Sequence, residues 1–232
     1  SMWYGVDPLA SKYPGWSPYA YTFNNPVLFI DPDGREGIIS GSEAEETLKE
    51  LNKTTSLKLS MNASGKLSYE GKPISNYDNE LIKAIEDPDN IVLMKTGEKN
   101  HTVRQGNQTI KAPVVGGKFK GSRYSNDGEK VIATQLINLE SAKKFEEADL
   151  GNAGSTVAHE FLEGYYGAVQ NPGASEMDDE AYNNAHYKSI SVLPQKLFKL
   201  RFNESTGKVT ASPARNTPLI DTEIELGNIE IK

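Results

Sequence analysis

The stretch Ser155–Gln170, with the sequence STVAHEFLEGYYGAVQ, constrains the fold more than any other part of this chain. Its apolar residues recur at the helical spacing of about 3.6 residues, which predicts a helix with one face packed on a core. His159 and Glu163 are four residues apart and therefore share the other face. Glu160 lies on the shoulder of that face. The helix thus presents two possible metal ligands and a further carboxylate.

Any metal site in this chain must use His, Asp or Glu, because its 232 residues include no cysteine and only three histidines. His186, on the next predicted helix, is the best source of a third ligand beside His159 and Glu163. Two imidazoles and one carboxylate would leave an open position on zinc, as in catalytic zinc sites. Glu160 has the place of the general base in the related H-E-x-x-H motif. The candidate oxyanion donors are Tyr166 and Tyr182.

A second interpretation of the same helix requires no metal. An exposed helix also carries His and Glu on its solvated face, and periodicity alone favours that reading. Because two of only three histidines fall on adjacent predicted helices, we favour the zinc site. The third histidine, His101, lies in a glycine-rich stretch, residues 97–130, and is expected at the surface. From Lys99 to Arg123 this stretch has six basic residues and no acidic one, which predicts a solvated loop or a flap over a cleft.

Composition limits the other classes of function. The formal net charge of −7 argues against nucleic acid as the main partner. No run approaches the roughly 18 consecutive apolar residues of a membrane-spanning helix, and we expect neither a membrane span nor a signal peptide. A nuclease constellation is not recognisable. The length suits one large domain, or one domain with an appendage.

Residues 1–36 differ from the rest of the chain, because eight aromatic residues and five prolines crowd into them. Their ordered motifs are Asp7-Pro8-Leu9-Ala10, Tyr13-Pro14-Gly15-Trp16-Ser17-Pro18-Tyr19-Ala20-Tyr21, Asn24-Asn25-Pro26 and Asp31-Pro32-Asp33-Gly34-Arg35. The segment resembles the end of an RHS repeat-associated core domain. By itself it is expected to form an irregular, aromatic-rich plug. The expected division is therefore 1–36 as the end of the RHS core and 37–232 as a C-terminal module.

The RHS resemblance implies a context for that module. In the family a large shell encloses a variable C-terminal toxin, which an aspartate-dependent self-cleavage releases. Asp7 and Asp31 match the cleavage motif, but Ala10 stands where the family has glycine and the shell is absent, so we expect no cleavage here. The resemblance implies a secreted effector of interbacterial competition, delivered into a target cell, for example by a type VI system. Its partners would be a cognate immunity protein, the RHS shell and a protein substrate.

The second half of the chain carries another resemblance. The pattern His159-Glu160-x-x-Glu163-Gly164-Tyr165-x-Gly167-Ala168, followed by Tyr182-x-x-Ala185-His186, is similar to metallopeptidase-type toxin modules found after RHS cores. It implies a zincin-like, zinc-dependent peptidase toxin. The alternative is a non-catalytic interaction module whose helix is only a polar face.

The predicted fold class is α+β, with a twisted, mostly antiparallel sheet and a zincin-like helix pair. The predicted helices are Ser42–Asn52, Asn79–Glu86, a helical turn over Ser141–Leu150, one that starts near Ser155 or Thr156, and one from a Ser175 cap to about Ile190. The predicted strands are two hairpins, over Leu57–Tyr69 and Leu197–Thr210, with Ile91–Met94, Val131–Leu139 and a last pair around Gly227-Asn228. In zincins, extended substrate pairs with a strand such as Val131–Leu139.

Overall fold

The structure, a computed structural model, describes residues 37–105, 107–176, 178–194, 198–203, 205–213 and 224–231. These ranges all fall within one compact unit, Arg35–Lys232. Residues 1–36 lie outside the described residues, and with them Asp7 and Asp31 of the expected cleavage motif. The resemblance to an RHS core therefore stays a prediction.

Five α-helices lie in the described ranges. They are α1 (Ala44–Asn52), α2 (Asn76–Glu86), α3 (Leu139–Glu147), α4 (Ala153–Gln170) and α5 (Asp179–Val192). Two of them begin elsewhere than predicted, because side chains at other positions cap them. Asn152 accepts a hydrogen bond from the backbone N–H of Ser155, and Asp178 accepts one from Ala181. Within the described residues, no helix is long and apolar enough to span a membrane.

Twelve strands lie in the same ranges and form four sheets. They are β1 (Gly37–Gly41), β2 (Lys58–Met61), β3 (Leu67–Glu70), β4 (Asn90–Thr96), β5 (Asn100–Gln105), β6 (Gln108–Pro113), β7 (Gly117–Tyr124), β8 (Val131–Ile137), β9 (Phe198–Asn203), β10 (Lys208–Pro213), β11 (Ile224–Asn228) and β12 (Glu230–Ile231). The predicted hairpins are confirmed as β2–β3 and β9–β10. The fold is α+β, as predicted.

The central sheet has the strand order β1-β4-β8-β7. Here β1, β4 and β8 are parallel, and β7 is antiparallel to β8 at one edge. The three smaller sheets are entirely antiparallel. The parallel strands β4 and β8 are rich in buried apolar residues, as expected of strands with neighbours on both sides.

Helix α4 packs across the central sheet, against β4, β7 and β8. Gly167 permits the close approach, because a Cβ atom at this position would overlap the ring of Phe119 on β7. Phe161 and Leu162 are fully buried in the main core beneath the helix. The sheet and α4 therefore form the rigid base on which the site is built.

Residues 97–130 are not the loop that their composition predicted. They form β5, β6 and β7, with Val103 paired to Ile110 in the hairpin. The many glycines misled the prediction because they occupy turns and irregular strand positions: Gly121, at φ 88°, lies where the β7–β8 register shifts.

Two further predictions about strands are wrong. Strand β8 cannot receive an extended substrate, because β4 and β7 occupy both of its edges. The last two strands do not pair with each other: β11 pairs with β10, and β12 pairs with the distant β6. Pairing across such a sequence separation has no local signal.

Candidate metal centre

The polar face of α4 is buried, contrary to the expectation of an exposed face. His159 is 1% exposed, Glu160 9% and Glu163 2%. Helix α5 packs against α4 and contributes to this enclosure. Charged groups are almost never buried unless they are paired or bind a metal, so this burial argues against a merely solvated face.

Three side chains converge between α4 and α5. Nδ1 of His186 lies 2.7 Å from Oε2 of Glu163 and 3.1 Å from Nε2 of His159. Nε2 of His159 lies 3.4 Å from Oε2 of Glu163. The structure therefore brings together the three predicted ligands, and this group could hold a metal ion.

The donor set and its spacing fit a zinc-like ion. Zinc bonds to nitrogen and oxygen are about 2.0–2.2 Å long, which places neighbouring tetrahedral ligand atoms roughly 3.3–3.6 Å apart. The separations of 2.7–3.4 Å between the three residues are close to this, so a small outward shift would admit an ion. Imidazole and carboxylate are ligands that zinc accepts.

Ser189 orients the first of these imidazoles. Its buried hydroxyl donates to the carbonyl oxygen of His159, at 2.9 Å, and lies 3.0 Å from Nδ1 of the same residue. Because the hydroxyl proton is already used, Nδ1 carries the ring proton and donates it to Oγ. Nε2 is then left with a free lone pair directed at Glu163 and His186, as a metal ligand requires. Sequence reasoning missed Ser189, although it is one helical turn after His186.

Gln135 of β8 connects the two carboxylates. Its Nε2 donates to Oε2 of Glu160 and, at 3.2 Å, to Oε1 of Glu163. The side chain is fully buried, and its Oε1 has no hydrogen-bond partner in the described structure. Sequence reasoning missed this residue too. The available signal was a single amide within the apolar strand VIATQLI.

The two carboxylates differ in their electrostatics. Burial and the neighbouring charge of Glu163 raise the pKa of Glu160 well above its usual range, although the hydrogen bond from Gln135 opposes this. Burial also acts to raise the pKa of Glu163, but contacts with His159 and His186 outweigh it and lower that pKa. Glu163 is thus suited to remain a charged ligand, and Glu160 is suited to accept and hold a proton.

A cavity of about 750 Å³ opens onto this group, within the usual range for ligand sites. The three possible ligands and Glu160 line it. Its apolar lining includes Val114, Val115, Phe145 and Leu150. Gly117 of β7 makes room beside the base, because a Cβ atom there would overlap the carboxylate of Glu160.

The two candidate tyrosines have different surroundings. Tyr182 lines the cavity, and its ring stacks on His186 with the centroids 5.2 Å apart. Burial and the nearby charges of Glu163 and Glu160 raise the pKa of Tyr182, so its hydroxyl keeps its proton. Tyr166 does not line the cavity; its hydroxyl donates to Glu80 of α2, at 2.8 Å. We therefore do not retain Tyr166 as an oxyanion donor.

His101 is not the surface histidine that was predicted. It is half-buried and lines the same cavity, together with residues 113–118. The alternative interpretation of the basic stretch, a flap that borders a cleft, agrees with this placement. No protein-family model, no curated protein and no solved structure matches this chain.

Proposed function

We propose that this chain is a zinc-dependent peptidase, in which His159, Glu163 and His186 hold the metal and Glu160 is the general base. One observation carries the proposal: three ligand atoms converge beside a buried fourth side chain at the wall of a large cavity. A bound zinc would polarise the carbonyl of a peptide bond and lower the pKa of a water molecule.

Glu160 performs the proton transfer in this proposal. Its raised pKa suits a group that takes a proton from the attacking water and later gives it to the leaving amine. The Gln135 amide holds its Oε2 in place. Tyr182 is the retained candidate for donating a hydrogen bond to the developing oxyanion.

We further propose that the module is a zincin-like toxin of an RHS effector. This is supported by the ordered motifs of residues 1–36, and by the pairing of the ligand helix α4 with α5 over a sheet. It acts in a target cell on a protein substrate, and a cognate immunity protein neutralises it.

Metal content is the first test. Elemental mass spectrometry on protein purified without added zinc should find close to one zinc per chain. His159→Ala and His186→Ala should both lose it, because each removes one of three ligands. His101→Ala is the matched control and should retain the metal. Absence of metal from the wild type, with no thermal shift on adding zinc, would reject the metal centre.

Hydrolysis is the second test. Wild-type protein and Glu160→Gln are incubated with a denatured proteome, and new peptide termini are identified by mass spectrometry. We expect wild-type cleavage, and a loss of about 10²–10⁴-fold in the variant, the usual contribution of a general base. Zinc content should be the same in both. Undiminished toxicity of a folded Glu160→Gln variant would favour the non-catalytic interaction module instead.

A further inference from the structure

One lysine of the basic stretch differs from its neighbours. Lys99, Lys111 and Lys120 form ion pairs with Glu140, Glu230 and Glu176. Lys118 forms no ion pair with any described residue, although it is half-buried. It also lines the cavity that contains the metal-ligand group. The stretch therefore directs one uncompensated positive charge at the candidate active site.

His101 lies at the same end of the cavity. Its Nδ1 is buried and has no hydrogen-bond partner among the described residues. Burial, with the charges of Lys118 and Lys120 close by, lowers the pKa of His101, so its ring is neutral at neutral pH. The end of the cavity thus combines one cation with one unsatisfied polar nitrogen. Both features are unfavourable unless a ligand completes them.

We propose that Lys118 and His101 form a subsite for a carboxylate of the peptide substrate, supplied by an Asp or Glu side chain or by the C-terminus. A single negative charge matches the single free cation. The carboxylate would accept a hydrogen bond from Lys118 Nζ and from the His101 ring, which places its proton on the inward nitrogen.

A polyanion fits the cavity less well than a peptide. Asp149, Glu160 and Glu163 also line it, so its walls carry more negative than positive side chains. Val114, Val115 and Leu150 give it an apolar lining, which suits a neighbouring apolar residue of a peptide. Nucleic acid would need several cations along a groove instead.

This subsite deepens the proposed peptidase function, but binding tests it separately from hydrolysis. The full-length Glu160→Gln protein is incubated with two random peptide pools, and retained peptides are identified by mass spectrometry. One pool is acetylated and amidated at its ends and includes Asp and Glu. The other has free C-terminal carboxylates and contains neither residue. Retention from the first pool indicates an acidic side chain, and retention from the second indicates a C-terminus.

We expect acidic peptides, or free C-termini, to be retained roughly ten- to a hundredfold over neutral, blocked ones, the range of one charge-assisted hydrogen bond. Adding Lys118→Gln should abolish that preference, and Lys118→Arg should preserve it. Lys111→Gln is the matched control, because Lys111 is outside this cavity and pairs with Glu230. His101→Ala should weaken retention several-fold. Circular dichroism confirms that each variant is folded.

Retention without a preference for carboxylates, a preference that survives Lys118→Gln, or no retention from either pool would overturn the subsite. These failures are distinct from failure of the peptidase proposal. Carboxylate-dependent binding by a chain that holds no zinc and cleaves nothing would support the subsite and reject the peptidase. Cleavage of neutral and acidic peptides at equal rates would do the reverse.

Discussion

At the scale of single residues, the candidate centre depends on side chains that perform no chemistry themselves. Ser189 sets the tautomer of His159, Gln135 holds both carboxylates, and Gly117 leaves space for Glu160. Supporting contacts of this kind orient ligands and bases, and their loss is expected to affect metal affinity and turnover differently. Two predictions separate these effects.

Replacing Ser189 by Ala should weaken zinc binding about 10–100-fold, because the hydrogen bond that fixes the His159 ring is lost. The dissociation constant is measured by competition with a chromophoric chelator. Ser191→Ala is the control on the same helix, since the Ser191 hydroxyl is exposed and donates to the Lys188 carbonyl. Equal affinities of the Ser189 and Ser191 variants would contradict an orienting role.

Replacing Gly117 by Ala should reduce kcat/KM for peptide hydrolysis about a hundredfold, because the new Cβ displaces the carboxylate of Glu160. Zinc content should not change, since none of the three ligands contacts that Cβ. Gly151→Ala is the control within the same cavity, where the added Cβ would lie at an ordinary 3.6 Å from Phe145. Wild-type activity of Gly117→Ala would show that Glu160 tolerates displacement.

At the scale of elements, Asp78 joins α2 to the segment that precedes β2. Its buried carboxylate accepts hydrogen bonds from the side chain of Thr55, from Ser56, and from the backbone N–H groups of Ile74 and Ser75. Ser75 in turn caps α2 by accepting from the backbone N–H of Asp78. Burial acts to raise the pKa of Asp78, but these hydrogen bonds outweigh it and hold the pKa below its usual range.

Asp78→Asn should lower the free energy of unfolding by about 1–3 kcal/mol at pH 7, because an amide cannot accept all of these bonds. A group whose folded pKa is lowered stabilises the protein above its unfolded pKa, and this contribution is lost as the pH falls through the folded value. The difference between wild type and variant should therefore shrink below about pH 4. Urea unfolding at pH 7 and pH 3 measures it, with the exposed Asp89→Asn as control.

At the scale of the whole molecule, a metal would link α4 to α5, and so join the helix on the central sheet to the helix that covers it. Ligands that bind only the folded state stabilise it by mass action. The folding of the module and the formation of its site are therefore thermodynamically coupled.

Free zinc at a hundred times its dissociation constant should stabilise the chain by about 2.7 kcal/mol. For a chain of this size, that corresponds to a rise in Tm of roughly 5–11 °C. Differential scanning fluorimetry after chelation and re-addition of zinc measures it. His186→Ala should show no rise, and His101→Ala should show the wild-type rise. An equal rise in both variants would place the stabilising zinc elsewhere.

The sequence by itself determined what depends on neighbouring residues. Periodicity predicted α4 and its approximate ends, and four-residue spacing placed His159 and Glu163 on one face. Turn residues predicted the β2–β3 and β9–β10 hairpins. The choice of His186 as the third ligand followed from the scarcity of histidine, and the structure places it beside the other two. These inferences succeeded because their signals are local in the chain or contained in its composition.

Only the tertiary structure decided the surroundings of those residues. The burial of His159 and Glu163, the contact of Gln135 with Glu160 across 25 positions, and the central place of β8 come from packing between distant segments. The same holds for Lys118, whose free charge is evident only once its neighbours are paired. Periodicity reports which side of an element is apolar, but not which element covers the other side, because that depends on contacts that leave no pattern in a single segment.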